Sequence, residues 1–292
     1  MNTPRKLYKY VPPERIDILR NGHIRFTQPS SLNDPFEMQP VFEVLFHEEK
    51  VQEILEPPFE YIEESLREKY KELPADQKSK FTEDQMVALV RSNPELLNNA
   101  LRRVEPFMRS FLTTFAPEAK RLISEEFDKH IGMLSLTENP ENLLMWSHYA
   151  AAHKGFLIKF DATHEYFNRR RSDRDEFYYL RKVRYIDRTP SGKSLHDLSG
   201  EDLMVTKMKI WDYEREWRML LPLNDADKVI ETASENVYLY SIPAEAITGV
   251  IVGAKASSGL KSEIEQTLRD LGRDIPISSA SLAPTSGSIL IK

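Results

Sequence analysis

Hydrophobic and polar positions change their spacing along this chain, and the changes divide it. In "KLYKYV" and "HIRFTQ" apolar and polar residues alternate, the period of two that marks strands. Between them, "PERIDILRNG" spaces Ile16, Ile18 and Leu19 as a helix would, and Gly22 stands where a C-terminal cap belongs. "PSSLNDPFE" is a loop of turn formers. From residue 47 to 130 the spacing becomes helical: Phe59, Ile62, Leu66 and Tyr70 form one stripe, and Phe107, Phe111 and Phe115 another. "TEDQ", Thr82 to Gln85, predicts a capping box.

After residue 130 the mixed pattern returns. "GMLSLTENPENLLMWSHYA" predicts a strand, a turn and a helix capped by Asn139, with Leu143, Leu144 and Ser147 on its inner face. "KGFLIKFD", "KVRYID", "EWRMLLPL" and "NVYLYSIP" read as strands, and the apolar run "AITGVIVGAK" as a central one. "HDLSGEDLMVTKMKIW" reads as helical in its second half. "SGLKSEIEQTLRDLG" is an amphipathic helix with Leu260, Ile264, Leu268 and Leu271 aligned, and "IPISSASL" and "GSILIK" are short edge strands. The expectation is a single α+β core domain, residues 1–46 and 131–292, with a mixed, mostly antiparallel sheet. Residues 47–130 form an all-helical insertion within it.

A chain of 292 residues buries a full core. Its net charge of −6 makes no case for wrapping duplex DNA, though it leaves room for a local basic groove. Without cysteine there is no disulfide, thiolate-bound zinc or Cys nucleophile. "MNTPRKLYKYVPPER" lacks the apolar stretch of a signal peptide, and no run approaches the roughly 20 apolar residues of a membrane helix. The expectation is a cytoplasmic protein with no membrane contact.

The costliest pattern is "YEREWRMLL". In extended chain Glu214 and Glu216 point to one face with Arg218, while Trp217, Met219 and Leu221 take the other as core. Carboxylates entering a sheet are either paired or used. Pairing of Glu216 with Arg218 or Arg184 is one reading; a Glu-x-Glu pair facing a cleft is the other. Tyr8 and Tyr10 share a strand face, either packing on the next helix or stacking on a flat ligand. Thr27, Asn33 and Asp34 lie in the following loop, either as turn chemistry or as ligand contacts. "LLMWSHYAAAHKGF" adds Trp146, His148 and Tyr149, with His148 either complementing the helix dipole or donating to a ligand phosphate or ribose. His148 and His153 lack the helical zinc spacing, so no metal is expected.

"LYKYVPPERIDILRNGHIRFTQPSSLNDPFE", "SLTENPENLLMWSHYAAAHKGFLIKFD" and "WDYEREWRMLL" together resemble a bacterial family known mainly as a domain of unknown function, met in some phage-defence settings. A strand, then "IL-x-x-G", then a strand ending in Phe-Thr is similar to the opening of the ADP-ribosyltransferase superfamily. That resemblance implies an ADP-ribosyltransferase-like fold, NAD as candidate substrate, Glu216 as the late catalytic glutamate and Glu214 as its companion in a Glu-x-Glu pair. It implies Thr27 at the middle position. "LYKY" departs from it, having neither His nor Arg where the first motif residue belongs. On this reading Tyr8 or Tyr10 packs on the base, and His148, Arg25 or Lys207 meets the pyrophosphate. Activity in phage defence or a toxin system follows as an expectation, with a protein or nucleic-acid acceptor left open.

Two rivals stand beside it. One is a metal-dependent hydrolase or nuclease using His148, Asp161 and Glu216. The other is a non-enzymatic nucleotide sensor or interaction module whose helical insertion offers a protein-binding surface. The transferase reading expects Glu216→Gln to fold normally and to lose NAD consumption.

Overall fold

The computed structural model describes residues 4–34, 57–172, 175–187, 204–283 and 287–292. Chain contacts separate two compact units, one of Met1–Pro40, Ser124–Thr189 and Leu198–Lys292, the other of Val41–Ile123 and Pro190–Asp197. The architecture is α+β, with a mixed and mostly antiparallel sheet.

The chain opens with β1 (Lys6–Val11), a 3-10 turn and α1 (Asp17–Asn21). Gly22, at φ 64°, closes α1 in the left-handed conformation the sequence predicts, its N–H bonded to Ile18 O. Next comes β2 (His23–Phe26). Then follow α2 (Phe59–Glu72), α3 (Ala75–Lys78), α4 (Glu83–Ser92) and α5 (Pro94–His130). Thr82 and Gln85 form the expected capping box at the start of α4. Within the second unit Arg67 bridges Glu63, Glu83 and Asp84 and so ties α2 to α4. Of the phenylalanine stripe on α5, Phe107 is exposed, and the side chains of Phe111 and Phe115 lie outside the description.

After α5 come β3 (Ile131–Thr137), α6 (Leu143–Tyr149), β4 (Phe156–Asp161), β5 (Leu180–Lys182), β6 (Arg184–Ile186) and β7 (Thr206–Met208). A 3-10 turn (Lys209–Glu214) leads into β8 (Glu216–Pro222), then β9 (Lys228–Glu231), β10 (Asn236–Ser241) and β11 (Ile247–Val252). The helix α7 (Ser258–Asp270) and the strands β12 (Ile277–Ala283) and β13 (Ser288–Ile291) finish the chain. Among the described residues the main sheet runs β13-β12-β11-β4-β1-β3-β8-β5. Its ladders are antiparallel except β11 with β12. Leu7, Leu134, Ile158, Phe160, Trp217 and Met219 belong to one face's core, over which α7 lays Leu260, Ile264 and Leu268.

Several expectations are corrected. The cap of α6 is Asn142, whose Oδ1 accepts from Met145 N, while Asn139 Oδ1 accepts from Glu141 N in the preceding turn. That shift turns the helix: Leu143 and Leu144 are exposed, and Met145 and Trp146 are buried. Residues 206–214 are a short strand and a 3-10 turn rather than a helix, because β7 finds a parallel partner in β6. The part of that segment before residue 204 lies outside the described residues. Leu271, expected on the inner face of α7, is exposed beyond its end. The strand β2 does not enter the main sheet but joins β10 and β9, the last of which the periodicity does not reveal.

Candidate functional site

The site lies where the main sheet splits. Against β4, β1 keeps six consecutive pairs from Lys6↔Asp161 to Val11↔Phe156. Against β3 it registers only at Tyr8↔Thr137. The start of β3 turns instead to Thr27, which exchanges two 2.8 Å backbone bonds with Met133. Between those two partners the edge of β3 at Ser135 and Leu136 faces a gap, and the gap is a hollow of about 190 Å³.

Alternation decides which side chains face it. Tyr8 pairs with Thr137 and Thr137 with Glu216, so Tyr8, Tyr10, Ser135, Thr137, Glu216 and Arg218 share one face. All six line the hollow. Lys9 belongs by alternation to the opposite, apolar face with Leu7 and Val11. It reaches the cleft because the strands have parted there, and its Nζ donates to Ser135 O at 3.0 Å across the gap.

The two glutamates are not consecutive members of one extended face. Glu214 ends the 3-10 turn, Arg215 follows in the left-handed region at φ 44°, and β8 begins at Glu216. Four contacts pin this bend: Asn142 donates to Tyr213 O, Thr137 Oγ1 to Glu214 O, Glu138 N to Arg215 O, and Glu216 N to the Tyr185 hydroxyl. The bend brings both carboxylates to one ammonium. Lys207 Nζ lies 2.7 Å from Glu214 Oε2 and 3.5 Å from Glu216 Oε2.

Their surroundings nevertheless pull the two carboxyls apart. Burial alone would raise Glu216, but Arg218 and Lys207 more than reverse it and hold it at about 2. Arg218, 1% exposed, grips both oxygens at 2.8 and 3.1 Å. Glu214 is held above the usual carboxylate range, chiefly by burial, with the Glu216 charge adding to it and Lys207 opposing. It accepts from the Tyr149 hydroxyl at 2.6 Å and from Lys207, two bonds where a carboxylate can take about four. Burial, then Glu214, drives the Tyr149 phenol upward. Burial also brings Lys9 down to about 8, with Glu216 opposing that fall.

A second hollow of about 430 Å³ adjoins the first and shares Lys9, Tyr10, Thr27, Asn33 and Tyr149 with it. Arg15, Arg25 and His148 also line it, and no carboxylate does among the described residues. Arg25 is paired with Glu235 at 2.8 Å and Arg15 with Asp17 at 3.1 Å.

Of the residues expected from sequence, Tyr8, Tyr10, Thr27, Asn33, Tyr149, Lys207, Glu214 and Glu216 line the inner hollow, and Arg25 and His148 the outer. Trp146 and Asp34 line neither and are buried. Trp146 packs edge-on against Tyr10 at 5.2 Å and donates to Pro140 O, so it supports the tyrosine rather than a ligand. Tyr10 itself donates to Asn139 O. Lys207 stands with the carboxylates, away from the outer hollow where a phosphate contact would place it. Asp161 lines neither hollow and caps its own turn at Thr163. Among the described residues no three His, Cys, Asp or Glu side chains form a group that could hold a metal ion. No described helix is long and apolar enough to cross a membrane.

Sequence reasoning passed over Lys9, Ser135 and Thr137. For Lys9 a signal existed: "LYKYV" sets an ammonium between Leu7 and Val11 on an apolar strand face, which is costly without a use. Ser135 and Thr137 carry none, since hydroxyls at alternate strand positions are ordinary.

No curated protein and no solved structure matches the chain. Residues 145–219 begin within α6, end within β8 and include Tyr149, Lys207, Glu214, Glu216 and Arg218; they match the family described as protein of unknown function (DUF2971).

Proposed function

We propose that this cleft binds a nucleotide, with NAD as the candidate substrate, and breaks its bond between nicotinamide and ribose, as an ADP-ribosyltransferase-like fold would. One observation carries the reading. Two carboxyls displaced in opposite directions share the inner hollow, and a hollow lined by cations without carboxylates adjoins it. Groups driven apart in this way divide the work of acid–base and electrostatic catalysis.

Nicotinamide leaves as a neutral base with the bonding electron pair, and positive charge develops on the ribose. Glu216, kept ionised by Arg218 and Lys207, stabilises that charge through the low-dielectric interior. The acceptor oxygen, from water or a hydroxyl, bonds to the ribose carbon and gives its proton to Glu214, whose burial raises its affinity for a proton. Tyr8, half-buried at the rim, presents a ring to the nicotinamide, and Arg25 and His148 stand on the phosphate side. The inner hollow suits a ring-sized group, and the whole dinucleotide needs both hollows.

The test is release of nicotinamide from NAD by the purified protein, measured by chromatography. Glu214→Gln is expected to lower turnover by about 10²- to 10⁴-fold with smaller change in affinity. Absence of both nicotinamide release and any thermal shift with NAD defeats the reading. A sensor without turnover is the second reading, favoured by the way Arg218 occupies both oxygens of Glu216; a thermal shift with NAD and no product selects it.

A further inference from the structure

We propose that Lys9 is the cation that receives the ligand's phosphate, so that the cleft takes phosphorylated nucleotides and not bare nucleosides; this deepens the reading above and rests on it. Lys9 lines both hollows and stands at their junction. Its ammonium has three N–H groups, and one donates to Ser135 O at 3.0 Å. Every other described lysine or arginine around the two hollows has a carboxylate partner: Lys207 has Glu214, Arg218 has Glu216, Arg25 has Glu235 and Arg15 has Asp17. Among the described residues no carboxylate forms an ion pair with Lys9.

A partly buried ammonium whose nearest carboxylates act on it only from a distance, without direct contact, costs free energy. A phosphate oxygen would supply a counter-charge in contact and take the remaining N–H donors. The geometry of the ligand follows. Its anionic group sits at the junction, its nicotinamide ring, which carries a positive charge in NAD, fits the carboxylate end, and the rest extends toward Arg15, Arg25 and His148. The charges around Lys9 come from several elements. Glu214, Glu216, Lys207 and Arg218 approach from the segment that ends in β8, and Arg15 and Arg25 from the turn after β1 and from β2. His148 and Tyr149 approach from α6, with Tyr8 and Tyr10 on its own strand. The net result brings Lys9 within reach of deprotonation at mildly alkaline pH.

The experiment is calorimetric titration with inorganic pyrophosphate, ADP-ribose and adenosine. The wild type is expected to bind the first two, adenosine at least about tenfold more weakly, and pyrophosphate less tightly at pH 9.5 than at pH 7. Lys9→Met should weaken pyrophosphate about ten- to a hundredfold. Lys9→Arg should retain it and lose the alkaline fall, because guanidinium does not titrate there. Where Lys9→Met does not fold, the pH profile of Lys9→Arg decides. Pyrophosphate that binds Lys9→Met as tightly as wild type, an alkaline fall that persists in Lys9→Arg, or no binding to wild type overturns the proposal. Lys9-dependent pyrophosphate binding with no binding or consumption of NAD would uphold the phosphate site and defeat the reading of NAD cleavage.

Discussion

The hydroxyl of Tyr149 donates to Oε1 of Glu214 at 2.6 Å, tying the last turn of α6 to the bend before β8. The two residues are far apart in sequence, yet this bond and the Asn142 contact to Tyr213 O hold one wall of the cleft to the other. Tyr149→Phe should therefore lose about 1–3 kcal/mol, since the acceptor is a buried carboxylate. It should also raise Glu214 further by removing a bond that favours the ionised form. Urea denaturation checks the first; a midpoint equal to wild type would contradict the bond.

Glu216 makes acid stability directional. Its folded value, about 2, lies below the ordinary carboxylate value of roughly 4.3. Its contribution is present above that ordinary value and is lost as pH falls from about 5 toward 2. Glu214 has the opposite sign: raised in the fold, it favours the native state at low pH, and that contribution is lost as pH rises through its folded value. Glu216→Gln should flatten the loss of stability between pH 5 and pH 2, measured by denaturant midpoints across that range. An unchanged slope would rule out a clamped Glu216.

At neutral pH the same substitution should cost stability, against the expectation from sequence that it folds normally. Removing the charge takes from the buried Arg218 guanidinium the carboxylate it grips, which should cost about 3–5 kcal/mol. Glu216→Gln should therefore be less stable than wild type, and any loss of turnover is to be measured where it is still native. Equal denaturation midpoints for the two proteins at pH 7 would show the pair to be dispensable.

Arg215 occupies the left-handed region at φ 44° between the glutamates, at a cost of about 1–2 kcal/mol for a residue with a Cβ. Arg215→Gly should be as stable as wild type or more so, and Arg215→Val less stable than either. Thermal midpoints that ranked Val above Gly would contradict the bend.

Gly155 lies between α6 and β4, where an added Cβ would stand 2.1 Å from Val11 O. Backbone cannot yield as a side-chain tip can. Gly155→Ala should cost more than about 3 kcal/mol and push β1 away from β4. A variant as stable as wild type by urea denaturation would show that the close approach is not required.

Local pattern determined a good deal of this protein. The alternation in β1, β4 and β8, the apolar run of β11, the left-handed Gly22 and the Thr82–Gln85 box depend on residues close in sequence, and each is legible without the fold. So is the collection of Tyr8, Thr27, Tyr149 and the two glutamates as candidate chemistry. Their division of labour is not. Only tertiary structure parts β1 from β3 so that Lys9 reaches through, moves the cap of α6 from Asn139 to Asn142, and turns Arg215 left-handed so that Glu214 and Glu216 converge on Lys207. The physical reason is that charge state and solvent access depend on which distant groups come within a few ångströms, and a single chain's periodicity carries no record of those distances.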